Sequence, residues 1–262
     1  MPSIPDVTAA LERIAPLRLA AEWDSVGLLV APRNAIRRVM TCLTLTPEVA
    51  DEAVRERIDL VITHHPLPFR PIGRITPDTG AGRVLLALIG AGCGIWSSHT
   101  AWDSAADGIN HQLAAMLELH GVTPITPDAE DASVGFGRMG HALQDMTVAT
   151  MARLLANRLG MNQVQIVGKR DGRAGRVGIV CGSGGDLVGD VAAAGCQTLV
   201  TGELKLHQAL EAAAFGLAVI AVGHHASEHF SLARLGQHLA TALPEIEVVA
   251  AATDCDPITW LE

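Results

Sequence analysis

Short apolar runs alternate with helical periodicities along almost the whole of this 262-residue chain, and that alternation constrains the fold more than any other feature. Helical spacing covers residues 7–19, ahead of a short segment at 22–30. An apolar strand follows at 38–45, then a helix opened by Thr46-Pro47-Glu48, where threonine can cap and proline fits the first turn. The pattern continues with strand 60–63, helix 82–89, strand 94–98 and helix 104–119. After a break come helix 146–159, strands 163–167 and 176–180, helix 187–194, strand 198–201, helix 205–215, strand 218–222, helix 228–243 and strand 246–251. Strand–helix units at this spacing predict an α/β protein with mostly parallel sheets. The break, residues 121–140, is rich in proline, glycine and acids, and reads as an interdomain connection. Two similar α/β lobes are expected, residues 1–125 plus about 225–262 and residues 126–224.

Composition narrows the chemistry. Twenty-eight acids against 19 bases give a net charge of −9, which opposes a sequence-independent nucleic-acid binder. The basic runs Arg37-Arg38 and Lys169-Arg170 with Arg173 and Arg176 are explained by solvated loops. Eleven histidines outnumber the four Phe and four Trp, and Tyr is absent. Such a chain is better equipped for metal than for base-stacking along a strand. Five cysteines without a C-x-x-C pair exclude a zinc ribbon and argue against a disulfide framework. The N-terminus has no basic region followed by an apolar one, so it is not a secretory signal. The longest apolar run, residues 84–96, is broken by glycines and falls short of the ~20 residues of a membrane span. A cytoplasmic location and no membrane partner are expected.

In α/β sheets ligands gather past the carboxyl ends of the strands. Every histidine cluster of this chain lies there. Residues 61–63 run into His64-His65-Pro66, and residues 95–98 into His99-Thr100-Ala101-Trp102-Asp103. Residues 199–201 run into Gly202-Glu203, with His207 four positions on, and residues 220–222 into Gly223-His224-His225-Ala226-Ser227-Glu228-His229. Taken singly, each has a plain explanation: a polar loop pair, an N-cap at Asp103, a solvated helix entry at His224. Taken together, His64, His65, His224, Asp103 and Glu228 suit two divalent ions with one carboxylate bridging. Two such ions outweigh two carboxylates, so the loaded site is net positive, attracts anions and generates hydroxide from bound water near neutral pH. Imidazole with carboxylate suits zinc, iron, manganese or nickel without choosing among them.

Two other patterns are weaker. His225-Ala226-Ser227-Glu228-His229 matches the inverted zinc-protease signature, but a strand and Gly223 stand where a formed helix is needed. Cys181-Gly182-Ser183-Gly184-Gly185-Asp186 lacks the third glycine of a dinucleotide fingerprint, because Leu187 stands in its place. It reads as a tight turn, with Ser183 no nucleophile.

The blocks Glu22-Trp23-Asp24-Ser25-Val26-Gly27-Leu28, Thr63-His64-His65-Pro66, His99-Thr100-Ala101-Trp102-Asp103, Thr201-Gly202-Glu203 and Gly223-His224-His225-Ala226-Ser227-Glu228 resemble, in order, those of the Nif-three-like family, often named GTP cyclohydrolase I type 2 homologues. The resemblance spans nearly the whole chain. It implies two α/β lobes with a dinuclear metal site in the cleft between them, and hexameric rings built from dimers. It assigns the metal ligands to His64, His65, Asp103, His224 and Glu228, with Glu228 as bridge. His99, Glu203 and His207 become pocket groups, and His99 or His207 the proton shuttle. Ser25 stands where asparagine is common, and Ala101-Trp102 replaces a small polar residue and leucine before the aspartate. The expected activity is metal-dependent hydrolysis of a small, anionic, phosphorylated or nucleotide-like substrate. The alternative is a non-enzymatic metal-binding scaffold, for regulation or metal storage.

Overall fold

The computed structural model describes residues 2–259. In chain order its elements begin with α1 (Ile4–Ile14), β1 (Gly27–Val30), β2 (Arg38–Cys42), α2 (Pro47–Arg55), β3 (Leu60–Thr63), α3 (Gly80–Ala91), β4 (Gly94–Ser97) and α4 (His99–Ser104). Next come α5 (Ile109–Met116), β5 (His120–Thr123), β6 (Thr126–Pro127), β7 (Gly135–Phe136), β8 (Arg138–His141), α6 (Val148–Leu159), β9 (Gln165–Val167), β10 (Arg176–Val180) and α7 (Val188–Ala193). The last are β11 (Thr198–Thr201), α8 (Leu206–Ala214), β12 (Ala218–Ala221), α9 (His224–Glu228), α10 (Leu232–Ala242) and β13 (Glu247–Ala250). Two compact units result, one running to Trp102 and taking in Ser231–Pro257, the other comprising Asp103–Phe230.

The first unit is built on a five-stranded sheet in the order β1-β4-β3-β2-β13. Strands β4, β3, β2 and β13 are parallel, and β1 closes the edge antiparallel to β4. Helix α2 starts where expected, with the Thr46 hydroxyl accepting the Val49 amide, and α3 stops at Gly92 in the left-handed region. These helices bring Val49, Ala53, Leu85 and Leu88 onto Met40, Val61 and Ile95 of the strands. Each such aliphatic residue contributes about 1.5–3 kcal/mol when fully buried. Helix α10 packs on β2 and β13 and against α1.

The second unit carries a six-stranded sheet in the order β5-β8-β10-β11-β12-β9. Strands β10, β11 and β12 are parallel, and the flanking pairs are antiparallel. Val180, Val188, Val191, Leu199, Ala212 and Val219 form its core.

The main difference from the sequence reading is segment 121–140, which is not a bare connection. It supplies part of β5, the short pair β6–β7, and most of β8. Gly121, Gly135 and Gly137 adopt positive φ there, so the strands are too short and too kinked to show an alternating pattern. Arg138 is buried, and its guanidinium donates to the carbonyls of Gly135, Gly137, Ser104 and Ala105. The expected helix 104–119 is two helices: α4 starts earlier, at His99, and Gly108 caps a separate α5. The expected helix 228–243 is likewise preceded by α9 and a 3₁₀ turn at His229–Ser231. Residues 260–262 of the expected first lobe lie outside the described residues.

Candidate metal centre

In the first unit, β3 delivers His64 and His65 and β4 delivers His99. The Thr63 hydroxyl donates to the carbonyls of Leu43 and His65, and the Ser97 hydroxyl donates to the His64 carbonyl at 2.7 Å. These buried contacts turn the backbone sharply past Thr63 and set the two imidazoles on one side. His64 is 2% exposed. The ring centroids of His64 lie 5.1 Å from those of both His65 and His99, and His65 and His99 are 5.7 Å apart. One donor atom from each of the three lies within 4.8 Å of the others, close enough to share an ion.

Two of these rings are held from behind. His65 Nδ1 lies 2.8 Å from the Thr44 hydroxyl. His99 Nδ1 lies 2.8 Å from an oxygen of Asp24, whose side chain is wholly buried. The Thr100 amide and hydroxyl donate to the same Asp24 oxygen. Burial alone would raise the Asp24 carboxyl, but the bonds from His99 and Thr100 outweigh it and hold the group below its ordinary value. With Nδ1 engaged, Nε2 is the nitrogen left to meet a ligand or a proton. His99 itself sits at φ +26, a left-handed conformation unusual for a residue with a side chain. The sequence reading assigns no role to Asp24, and its expected roles for Asp103 are a cap or a metal ligand. The only signal for Asp24 was its place in the Glu22–Leu28 block.

The second unit holds the other expected ligands, Asp103, His224 and Glu228. Asp103 is 8% exposed, and its carbonyl accepts from the Asn110 amide, whose oxygen in turn accepts the Cys181 N–H. Gly223, at φ +95, turns the chain from β12 into α9. That places His224 and Glu228 one turn apart, with His224 Nε2 3.2 Å from Glu228 Oε2. Ser227 locks the turn from inside, accepting the Gly182 amide and donating to the His224 carbonyl.

Glu203 occupies the far side of His224, 3.1 Å from Nδ1, and accepts the Ser183 hydroxyl at 2.6 Å. The Ser183 bond, with help from His224, keeps the Glu203 carboxyl low. His224 is pushed up to about 9, first by its hydrogen bond to Glu228 and then by Glu203, against the opposing effect of burial. An imidazole gripped by one carboxylate and facing another is the usual arrangement of a metal-ligating histidine. Glu203 is therefore an orienting group for His224. His207 lies exposed on the first turn of α8, while the next residue, Gln208, points inward to Asp186.

The 181–186 segment is the tight turn expected, and it has a second use. Gly182, at φ +61, packs so closely under the site that a Cβ there would fall 2.2 Å from Glu228 Oε1. The Gly184 amide is taken by the Thr201 hydroxyl. Cys181 is buried beside Asp103 and Glu228, and burial with those two charges raises its thiol well above the ordinary value. It stays protonated and is no nucleophile. The donor chemistry of both sets, imidazole and carboxylate held by polar groups behind them, fits borderline divalent ions.

The sequence profile of Duf34/NIF3 (NGG1p interacting factor 3) matches residues 2–257, and the chain belongs to this family. It is 31% identical over 258 residues to the GTP cyclohydrolase 1 type 2 homolog of Clostridium perfringens, covering 98% of each chain. It is also 31% identical over 261 residues to the Protein NIF3 homolog of Schizosaccharomyces pombe, covering 93% of each. Among solved structures, the Bacillus cereus protein related to NIF3 superposes with a TM-score of 0.91 at 20% identity, over 99% of both chains. Reduced HcgD from Methanocaldococcus jannaschii gives 0.84 at 23% identity, over 96% of this chain and 98% of that one. The structural likenesses bear on the fold.

Proposed function

We propose that this protein is a metal-dependent hydrolase in which His64, His65, Asp103, His224 and Glu228 serve two divalent ions, with Glu228 bridging. The observation that carries the reading is the bracing of the imidazoles: Thr44 behind His65 and Glu203 behind His224 leave Nε2 of each as the donor. Bound there, zinc, iron, manganese or nickel would supply polarisation of a carbonyl or phosphoryl oxygen and an acidified water.

The chain's own residues supply the rest. Asp24 fixes His99 with Nε2 presented, the geometry of an imidazole that carries a proton to or from a reacting group. His207, open to solvent on α8, is the alternative group for that proton transfer. The substrate is a small anion, phosphorylated or nucleotide-like, and GTP heads the candidates because the curated relatives bear its name. Five free cysteines support a reducing, cytoplasmic setting, and among the described residues no helix is long and apolar enough to cross a membrane. Exposed Leu206, Leu210 and Phe215 offer apolar surface for the homo-oligomer, a hexameric ring of dimers, that the family resemblance implies.

The test is metal analysis of the purified protein, followed by a panel of phosphoesters and nucleotides. Bound divalent metal with turnover, both lost in His65→Ala and Glu228→Ala, is the expected result. Full metal loading with no turnover across the panel would favour a metal-storage or regulatory scaffold instead.

A further inference from the structure

Trp23 is 67% exposed and Phe69 50% exposed, in a chain that buries Trp96 and Trp102 almost completely. Large aromatic rings left in water this way forgo the stabilisation of burial and mark a surface with a use. These two stand together, with ring centroids 6.2 Å apart and planes inclined at 60°. Each ring also lies 6.1 Å from that of His99, edge-on. The tilt means that neither ring covers the face of the other.

Trp23 is exposed without being loose. Its neighbour Asp24 is tied to His99 and Thr100, and two residues before it the Ala21 amide donates to the Thr100 hydroxyl at 2.9 Å. The Asp24 amide donates back to the Ala21 carbonyl, closing a small turn with Trp23 at its tip. The turn presents a flat aromatic face beside His99 at little conformational cost, as a recognition surface requires.

We propose that Trp23, with Phe69 beside it, is a stacking platform for the heterocyclic base of a nucleotide, so that the substrate of the site carries a flat aromatic ring. The proposal rests on the hydrolase reading and sharpens it: a sugar phosphate has no π-face to lay on these rings, whereas a nucleobase has. Stacking of this kind accepts any base, so the platform selects nucleotides as a class and leaves the choice among bases to other groups.

Guanosine 5′-monophosphate and ribose 5-phosphate are the probes, and they share a phosphate but not a base. Binding is followed by equilibrium dialysis and by tryptophan fluorescence, with metal content measured on the same samples. The expected result is saturable binding of the guanosine nucleotide with quenching, and weak binding of ribose 5-phosphate. Trp23→Ala is expected to weaken nucleotide binding by about 5- to 150-fold, the loss of one base–aromatic stack, and Trp23→Phe to restore most of it. Metal content should stay unchanged in both, since Trp23 offers no ligand. Equal binding of the two probes, or wild-type nucleotide binding by Trp23→Ala, overturns the platform and leaves the metal reading intact. So does a Trp23 signal that follows protein concentration rather than nucleotide, which would mean that a second copy covers the rings. Wild-type protein without metal overturns the hydrolase reading whatever the dialysis shows.

Discussion

The carboxylate of Asp24 holds the imidazole of His99 at 2.8 Å across 75 residues of sequence, and it does so from complete burial. A buried carboxylate with three donors on it is a rigid post, and the ring it holds is fixed in both orientation and tautomer. Asp24→Ala frees that ring. The expected outcome is a fall in kcat of about 10–100-fold with metal content retained, measured by steady-state kinetics beside metal analysis. Loss of metal in this variant would instead make His99 a ligand.

Gly182 sets a second expectation. Gly182→Ala places a methyl group 2.2 Å from a Glu228 oxygen while also forcing an alanine to φ +61. Gly121 has the same φ with open space around it, so Gly121→Ala isolates the backbone cost of about 1–2 kcal/mol. Gly182→Ala should exceed that cost and displace Glu228, lowering bound metal as well as stability. Denaturant unfolding of the two variants, with metal content alongside, separates the effects.

His224 makes the chelator-stripped protein sensitive to alkali. Its folded value of about 9 stands above the ordinary 6.5, so the proton is bound more tightly in the folded state. The stability that this provides is fully present below about 6.5 and is lost as the pH rises through about 9. Thermal melts of stripped protein across that window should show the decline, and Glu228→Gln should flatten it. Metal uptake in the same range should release protons.

Glu52 makes the opposite prediction, and away from the site. Burial raises its carboxyl, but the Thr253 hydroxyl and the amides of Ala252 and Thr253 outweigh that and bring it below the ordinary 4.5. Its stabilisation is present above that value and is lost as the pH falls through the lower folded one. Glu52→Gln should cost about 1.5–3 kcal/mol in urea unfolding at neutral pH, with the difference from wild type closing in acid.

The legible part of this protein was the part with local grammar. His64 and His65 before Pro66, and His224 four residues before Glu228, announce themselves because strand exits and helix turns are short-range patterns. The positions of β2, β3, β4, β10, β11 and β12 were readable for the same reason, since buried parallel strands are unbroken apolar runs. Asp24 was not readable, because its partners at 99 and 100 share no spacing with it. Glu203 was seen but cast as a pocket group, and only the structure shows it behind His224 Nδ1. Strand β5 hid because Gly121 at positive φ interrupts it, and β8 because it is only four residues long and follows Gly137 at positive φ. The start of α4 at His99 hid because Asp103 offered a cap for a helix beginning at 104.

Strand β13 lies alongside β2, with Arg38 and Glu247 paired at 2.9 Å although 209 residues separate them. Contacts so distant in sequence form late, because the intervening chain must first be gathered in. During synthesis, residues 103–230 leave the ribosome before β13 exists and can assemble on their own sheet, while β2 waits with an unpaired edge. An edge strand left open is an invitation to misassembly. The last-arriving strand thus doubles as a seal, and the interval before it docks is when the nascent chain is most exposed to aggregation.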